Sequence, residues 1–158
     1  MLRFSKLTDY ATVILAYLAN APERLHAAAE VAEHTRLAQP TVSKLLKELQ
    51  RAGLVTSTRG PHGGYQLTRS PSAISAATIL DALEGPVAIT ECSGKDSHCG
   101  IESVCRVGKA WQRVNAGIRR ALNDITLAQL AGLESASVRV PDLGVELRGP
   151  RPMPRPER

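Results

Sequence analysis

A mainly α-helical fold with one small β-hairpin follows from three features of the sequence. Apolar residues recur at helical spacing over most of residues 5–83, two short β-capable runs flank a turn rich in Gly and Pro at 54–68, and an apolar seam with alternating steps of three and four fills 104–125. At 158 residues, 43% hydrophobic and 22% charged, the chain suits one compact domain with or without an appendage and excludes two large ones. Aromatic residues make up only 3%, so the core must be built from Leu, Ile, Val and Ala.

The first helix is expected over 5–20, where Leu7, Tyr10, Ala11, Ile14 and Leu18 share a face before Ala21-Pro22 ends it. A short second helix over 26–34 turns Ala28, Val31 and Ala32 inward. After Thr35-Arg36-Leu37-Ala38, Pro40 sits where a first-turn residue can lack its N–H, and a third helix runs to the stop signal Gly53. Its apolar face is Val42, Leu45, Leu46 and Leu49; its other face presents Thr41, Ser43, Lys44, Lys47 and Arg51. The runs at 54–58 and 65–68 pair around Arg59-Gly60-Pro61-His62-Gly63-Gly64 as a hairpin. Helix, turn, helix, hairpin is the order of a winged helix-turn-helix, in which the third helix enters the major groove of DNA and the hairpin is the wing.

A further helix is expected over 72–83, packing Ile74, Ile79, Leu80 and Leu83, with Gly85-Pro86 as its stop. Residues 87–102 lack periodicity and read as a loop. From Glu102 a long helix carries Val104, Val107, Trp111, Val114, Ile118, Ala121 and Ile125 in a heptad-like seam that a second copy of the chain would complete. Thr126-Leu127-Ala128-Gln129 is a capping box for a last short helix. Beyond about 135, half of the ten prolines alternate with arginines, which reads as a disordered basic tail. The domain organisation expected is therefore a DNA-binding region at 1–85, a cysteine loop at 86–105, a dimerisation helix and short final helix at 102–134, and a tail at 135–158.

The net charge is +5, and all of it falls in 36–69, where Arg36, Lys44, Lys47, Arg51, Arg59 and Arg69 oppose Glu48 alone. A neutral body with its charge in one segment points to a polyanion surface, and double-stranded DNA is the partner expected. Scarce aromatics argue against single-strand stacking. Thr41, Ser43 and Lys44 are the expected base readers; Lys47, Arg51 and Arg59 are expected on the backbone, with Gly60, His62, Gly63 and Gly64 letting the wing tip approach. Because one such module covers few base pairs, a homodimer on a roughly palindromic operator is expected. No apolar run is long enough for a signal peptide or a membrane span, so the protein is expected in the cytoplasm. No phosphate loop and no convergent acid–base set suggests an enzyme or a small-molecule substrate.

Cys92, Cys99 and Cys105 are separated by six and five residues. An odd count does not suit a disulfide framework, and the tight Cys-x-x-Cys of zinc knuckles and thiol redox motifs is absent. Wider spacing between thiolates favours an iron–sulfur cluster over zinc, with the two-iron and four-iron types both open. The polar and flexible residues between these cysteines do not suit three small core hydrophobes. Three cysteines leave one position to fill. His98 stands beside Cys99 and reads as an exposed loop histidine, whereas Asp9 of the first helix, from the other subunit, is the candidate fourth ligand.

Leu7-Thr8-Asp9-Tyr10-Ala11, the wing Arg59-Gly60-Pro61-His62-Gly63-Gly64-Tyr65, Leu80 to Gly85, the cysteine trio and Ile125-Thr126-Leu127 together resemble the Rrf2-type winged-helix transcription regulators, the family of IscR and NsrR. The resemblance covers about 1–132, and Met1 to Tyr10, Glu84-Gly85-Pro86 and Thr90-Glu91-Cys92 are most similar to proteobacterial regulators of the SUF iron–sulfur assembly operon. It implies a homodimeric repressor whose cluster reports on assembly demand. Two departures matter. Gly108 stands where IscR-like members have a histidine ligand, and Ser43 where they have a glutamate, so neither that ligand nor their operator preference carries over. NsrR-like members, which sense nitric oxide, use an aspartate of the first helix in trans, and Asp9 stands at the matching place.

Overall fold

The computed structural model describes residues 4–90 and 106–134. Among these, the chain runs through α1 (Lys6–Ala19), α2 (Ala28–Thr35), α3 (Gln39–Arg51), β1 (Val55–Thr58), β2 (Gly64–Leu67), α4 (Ala76–Leu83), α5 (Gly108–Asp124) and α6 (Leu127–Leu130). The two strands form an antiparallel hairpin in the register Val55↔Leu67 to Thr58↔Gly64. The helix-turn-helix and wing expected from the sequence are thus present.

One core serves every element except α5. Ile14, Leu15 and Leu18 of α1, Val31 of α2, Val42, Leu45, Leu46 and Leu49 of α3, and Leu54 and Ile74 are wholly inaccessible to solvent, as is Leu127 of α6. The chain therefore returns after α5 to the core it began with. Helix ends follow local chemistry. Ser5 Oγ accepts the Thr8 N–H at 3.2 Å to open α1. A Schellman motif closes α3: Gly53, at φ +72°, donates to Gln50 O and Leu54 to Leu49 O, both at 3.0 Å. Leu49 and Leu54, both buried, supply the apolar contact that accompanies this motif.

Three expectations are corrected. Residues 72–83 do not form one helix: a single 3-10 turn, Pro71–Ala73, precedes extended backbone at Ile74, and α4 starts only at Ala76. Ser75 caps α4 through Thr78, while Ile74 O accepts the Leu127 N–H at 2.7 Å and the Ala76 N–H donates to Ile125 O at 2.8 Å. The pull of this pairing breaks the helix, yet Ile74 and Ile79 both still reach the core, which is why the apolar spacing looked continuous. Ile125 leaves the seam for the same reason, being the extended residue that ends α5. His26 does not begin α2; it exchanges two 2.9 Å backbone hydrogen bonds with Tyr65 and lies beside the wing as a one-residue third strand.

The cysteine segment and the tail beyond 134 lie outside the described residues, as does Val104 of the seam.

Candidate nucleic-acid interface

The apolar positions of α3 are fully buried, which fixes the opposite side outward. Lys44, Lys47 and Arg51 are exposed there together with Pro40. At about 100° per residue, Thr41 and Ser43 fall on opposite flanks of this stripe, and both are half-buried. Lys44 is only loosely held, its Nζ 4.0 Å from Glu48 with two-thirds of its side chain exposed. Unlike α1, α4 and α6, which open on Ser5, Ser75 and Thr126, α3 has no capping side chain and no acid in its first turn. Nothing of its own offsets the positive end of its dipole.

The wing stands beside α3 through a link the sequence reading missed. Gln50 Nε2 donates to Ser57 Oγ of β1 at 2.8 Å. Thr68, past β2, donates its hydroxyl to Gly53 O at 2.7 Å and fixes the other end of the hairpin to the end of α3. Short polar side chains on a strand carry no sequence signal that distinguishes such a tie from a solvated position. At the tip, Arg59, Gly60 and His62 are exposed. Gly60 adopts φ +119° with open space around it, so its turn needs glycine for backbone reasons. Gly63 and Gly64 serve close approach within the chain itself: an added Cβ would lie 2.2 Å from Thr58 O at Gly63 and 2.7 Å from His26 O at Gly64.

His26 is 2% exposed, and its ring anchors the side of the wing. Arg24 Nη2 donates to its Nδ1 at 3.0 Å, its Nε2–H donates to Ala21 O at 3.1 Å, and Tyr17 packs edge-on at 5.3 Å. Arg24 and the Tyr17 hydroxyl converge on Glu30, and despite the cost of burial these contacts hold the Glu30 carboxyl below its usual range.

Asp9 is exposed in the first turn of α1, without a hydrogen bond to its carboxylate among the described residues. Glu84, just past α4 and ahead of the segment leading to Cys92, accepts the Ser5 N–H at 2.8 Å and the Thr8 hydroxyl. The Thr8 and Ser5 hydrogen bonds hold its carboxyl below the ordinary glutamate range. No group of three or more metal-ligating side chains occurs among the described residues. Gly108 is buried and offers no donor.

Helix α5 turns Gly108 and Asn115 toward the body, where Asn115 Oδ1 accepts the Ile89 N–H at 3.3 Å. Arg119 grips Asp81 of α4 with two hydrogen bonds of 3.0 and 2.8 Å. The seam residues Val107, Trp111 and Val114 stay 59%, 43% and 46% exposed. No described helix is long and apolar enough to cross a membrane.

Residues 4–132 match the family model "Rrf2: Iron-dependent Transcriptional regulator". The regulator IscR of Vibrio cholerae is 35% identical over 102 residues, 65% of this chain and 58% of that protein. The chain spans about three fifths of the length of the curated relatives it matches. Among solved structures, CymR, the global cysteine regulator of B. subtilis, superposes with a TM-score of 0.67 at 29% identity over 85% of this chain and 99% of that one. IscR of T. potens gives 0.63 at 30% identity over 86% and 91%. The match to the family model over residues 4–132 and the shared winged-helix architecture agree, and the chain belongs to the Rrf2 family of transcriptional regulators.

Proposed function

We propose that the chain is a homodimeric, DNA-binding repressor of iron–sulfur assembly genes of the SUF type. The observation that carries this reading is the concentration of the entire net positive charge in 36–69, the segment that contains α3 and the wing. In this reading Lys44 and the flanking Thr41 and Ser43 address base edges. Lys47, Arg51 and Arg59 lie along phosphates, with Gly60, His62, Gly63 and Gly64 shaping the wing tip between them. The exposed Val107, Trp111 and Val114 support pairing of α5 with a second copy, which sets two recognition helices on a roughly palindromic operator.

Cys92, Cys99 and Cys105 would hold the cluster, with the free carboxylate of Asp9 from the second copy as fourth ligand; three thiolates and one carboxylate are a donor set that iron accepts. When bound, the cluster would supply oxidant-sensitive and nitric-oxide-sensitive coordination. The chain's own part is to join the two ends: the segment carrying the cysteines leaves α4 beside Glu84, which grips the first turn of α1, and re-enters at α5. A change in that segment thereby shifts the spacing of the two recognition helices, a two-state element biased by a ligand.

Anaerobic purification should give a brown protein that shifts operator DNA differently from its apo form. Equal affinity of the two forms overturns the sensing mechanism, and a colourless protein with stoichiometric zinc overturns the cluster. Transfer of cluster or thiol turnover with no salt-dependent DNA binding would make the chain a carrier instead. Arg59→Ala should flatten the salt dependence of binding by about one counterion. Trp111→Ala should shift the sedimentation of the dimer toward the monomer. A second reading, nitric oxide as the signal, is favoured by Gly108 and the unengaged Asp9. Release from the operator at sub-stoichiometric nitric oxide would select it.

A further inference from the structure

We infer that Gln39 is a base-reading, specificity-determining residue that takes an adenine edge in the major groove; this deepens the DNA-binding reading above and rests on it. Gln39 is the first residue of α3 and is exposed, and no hydrogen bond engages its amide among the described residues. Side chains on a helix lean toward its N-terminus, so a residue at the first position projects past the helix end, the end that recognition helices present to base edges.

Its place around the helix sharpens the argument. Relative to Gln39, Ser43 lies about 40° and Gln50 about 20° around the axis, so the three form one column. That column is the wing side, because Gln50 donates to Ser57 of β1. The helix therefore carries two glutamines on one side, one spent on holding the wing and one unspent at the open end. Thr41, by contrast, lies on the far flank, about 160° around the axis from Gln39. A primary amide has a donor and an acceptor spaced to match N6 and N7 of adenine, the pairing that makes Gln and Asn adenine readers. Lys44, about 140° around the axis from Gln39 on the cationic stripe, suits guanine O6 and N7. Together they predict a half-site that contains both an adenine and a guanine.

The test is selection from a randomised duplex library by the full chain, followed by binding measurements on the selected sequence with single-base changes. The wild type should fix an adenine in each half-site. Gln39→Ala should relax that position alone, with discrimination falling about 5- to 150-fold, at an unchanged salt slope. Gln39→Glu should move the preference toward cytosine, whose N4 amino group a carboxylate accepts. Glu23→Gln, in the exposed turn after α1, serves as the control and should leave that base preference in place. Circular dichroism melting of each variant confirms that the fold is kept, as an exposed position allows.

An unchanged consensus for Gln39→Ala overturns the inference, and so does a salt slope reduced by about one, which would make Gln39 a phosphate contact. A wild-type chain that selects no sequence overturns the DNA reading itself, whereas selection that survives every change at Gln39 removes only this residue.

Discussion

Helices α3 and α5 are the two strongly amphipathic segments of the chain, and their apolar faces have opposite fates. In α3 all four apolar positions are sealed in the core of the same chain, and cations face outward. In α5 the inward residues are Gly108 and Asn115, while Trp111 and Val114, and Val107 just before the helix, face solvent. Equal periodicity therefore does not mean equal destination. Within one chain α3 is seated by its buried face, whereas α5 is tied to α4 by Arg119 and Asp81 and keeps Trp111 and Val114 exposed; under the proposed reading α3 faces DNA and α5 pairs with a second copy.

The widest separation should come from matched truncations. Leu46→Ala in α3 removes a wholly buried side chain and should cost about 2–5 kcal/mol in urea unfolding. Val114→Ala in α5 should cost less than about 0.5 kcal/mol in the isolated chain while weakening self-association. Comparable losses at dilute, monomeric concentrations would mean that α5 already buries its seam within one subunit.

Seating of α3 also depends on the wing beside it. Gly64→Ala would place a Cβ within 2.7–3.0 Å of the His26 backbone, and neither strand can yield without losing the paired hydrogen bonds to Tyr65. An overpacking cost of about 1–3 kcal/mol is expected, with DNA affinity reduced through displacement of the wing. If Gly64→Ala melts like the wild type but binds DNA poorly, Gly64 approaches the ligand rather than His26, and the internal role is wrong.

Both helices were legible as helices, and for the same reason: apolar residues at steps of three and four show whether the chain buries that face or leaves it exposed. The destination of each face was not equally legible. The broken helix at 72–83 escaped because Ile74 and Ile79 keep their inward spacing across an extended residue, and the pairing that extends it comes from Ile125 to Leu127, far along the chain. His26 as a strand beside Tyr65, Gln50 as the tie to Ser57 and Glu84 as the partner of Thr8 are contacts across 7 to 76 positions in sequence, invisible to local pattern. Gly53, Gly60 and the Thr126 capping box were legible because their chemistry is local.

Polar attachment of α5 predicts a smaller effect. Arg119 and Asp81 are each about one-third exposed, so their bidentate contact is screened and should contribute about 0.5–1 kcal/mol. Asp81 raises the already high Arg119 pKa through hydrogen bonds and charge, so no titration near neutrality is expected. Arg119→Ala should lower the melting temperature slightly, and the difference from wild type should shrink in high salt. A loss as large as that of Leu46→Ala would place α5 in the core and erase the contrast between the helices.

The smallest effect concerns the first turn of α1, which carries Asp9, and the carboxylate that holds it. Glu84 receives the Thr8 hydroxyl and the Ser5 N–H, and these donors stabilise its charged form, so its folded value lies below that of the unfolded chain. A group shifted in this direction contributes its full stability above the unfolded value and loses it as pH falls through the lowered folded value. Glu84→Gln keeps the shape and one acceptor oxygen but has no charge to titrate. The wild type should therefore be the more stable of the two near pH 7, by a margin reduced by solvent because Glu84 is exposed. That margin should close on acidification below the ordinary glutamate range of about 4.3, as followed by urea unfolding at a series of pH values. A margin independent of pH would show that Glu84 acts through the geometry of its hydrogen bonds alone, and the tie between α1 and the end of α4 would then be no more charge-dependent than the buried packing of α3.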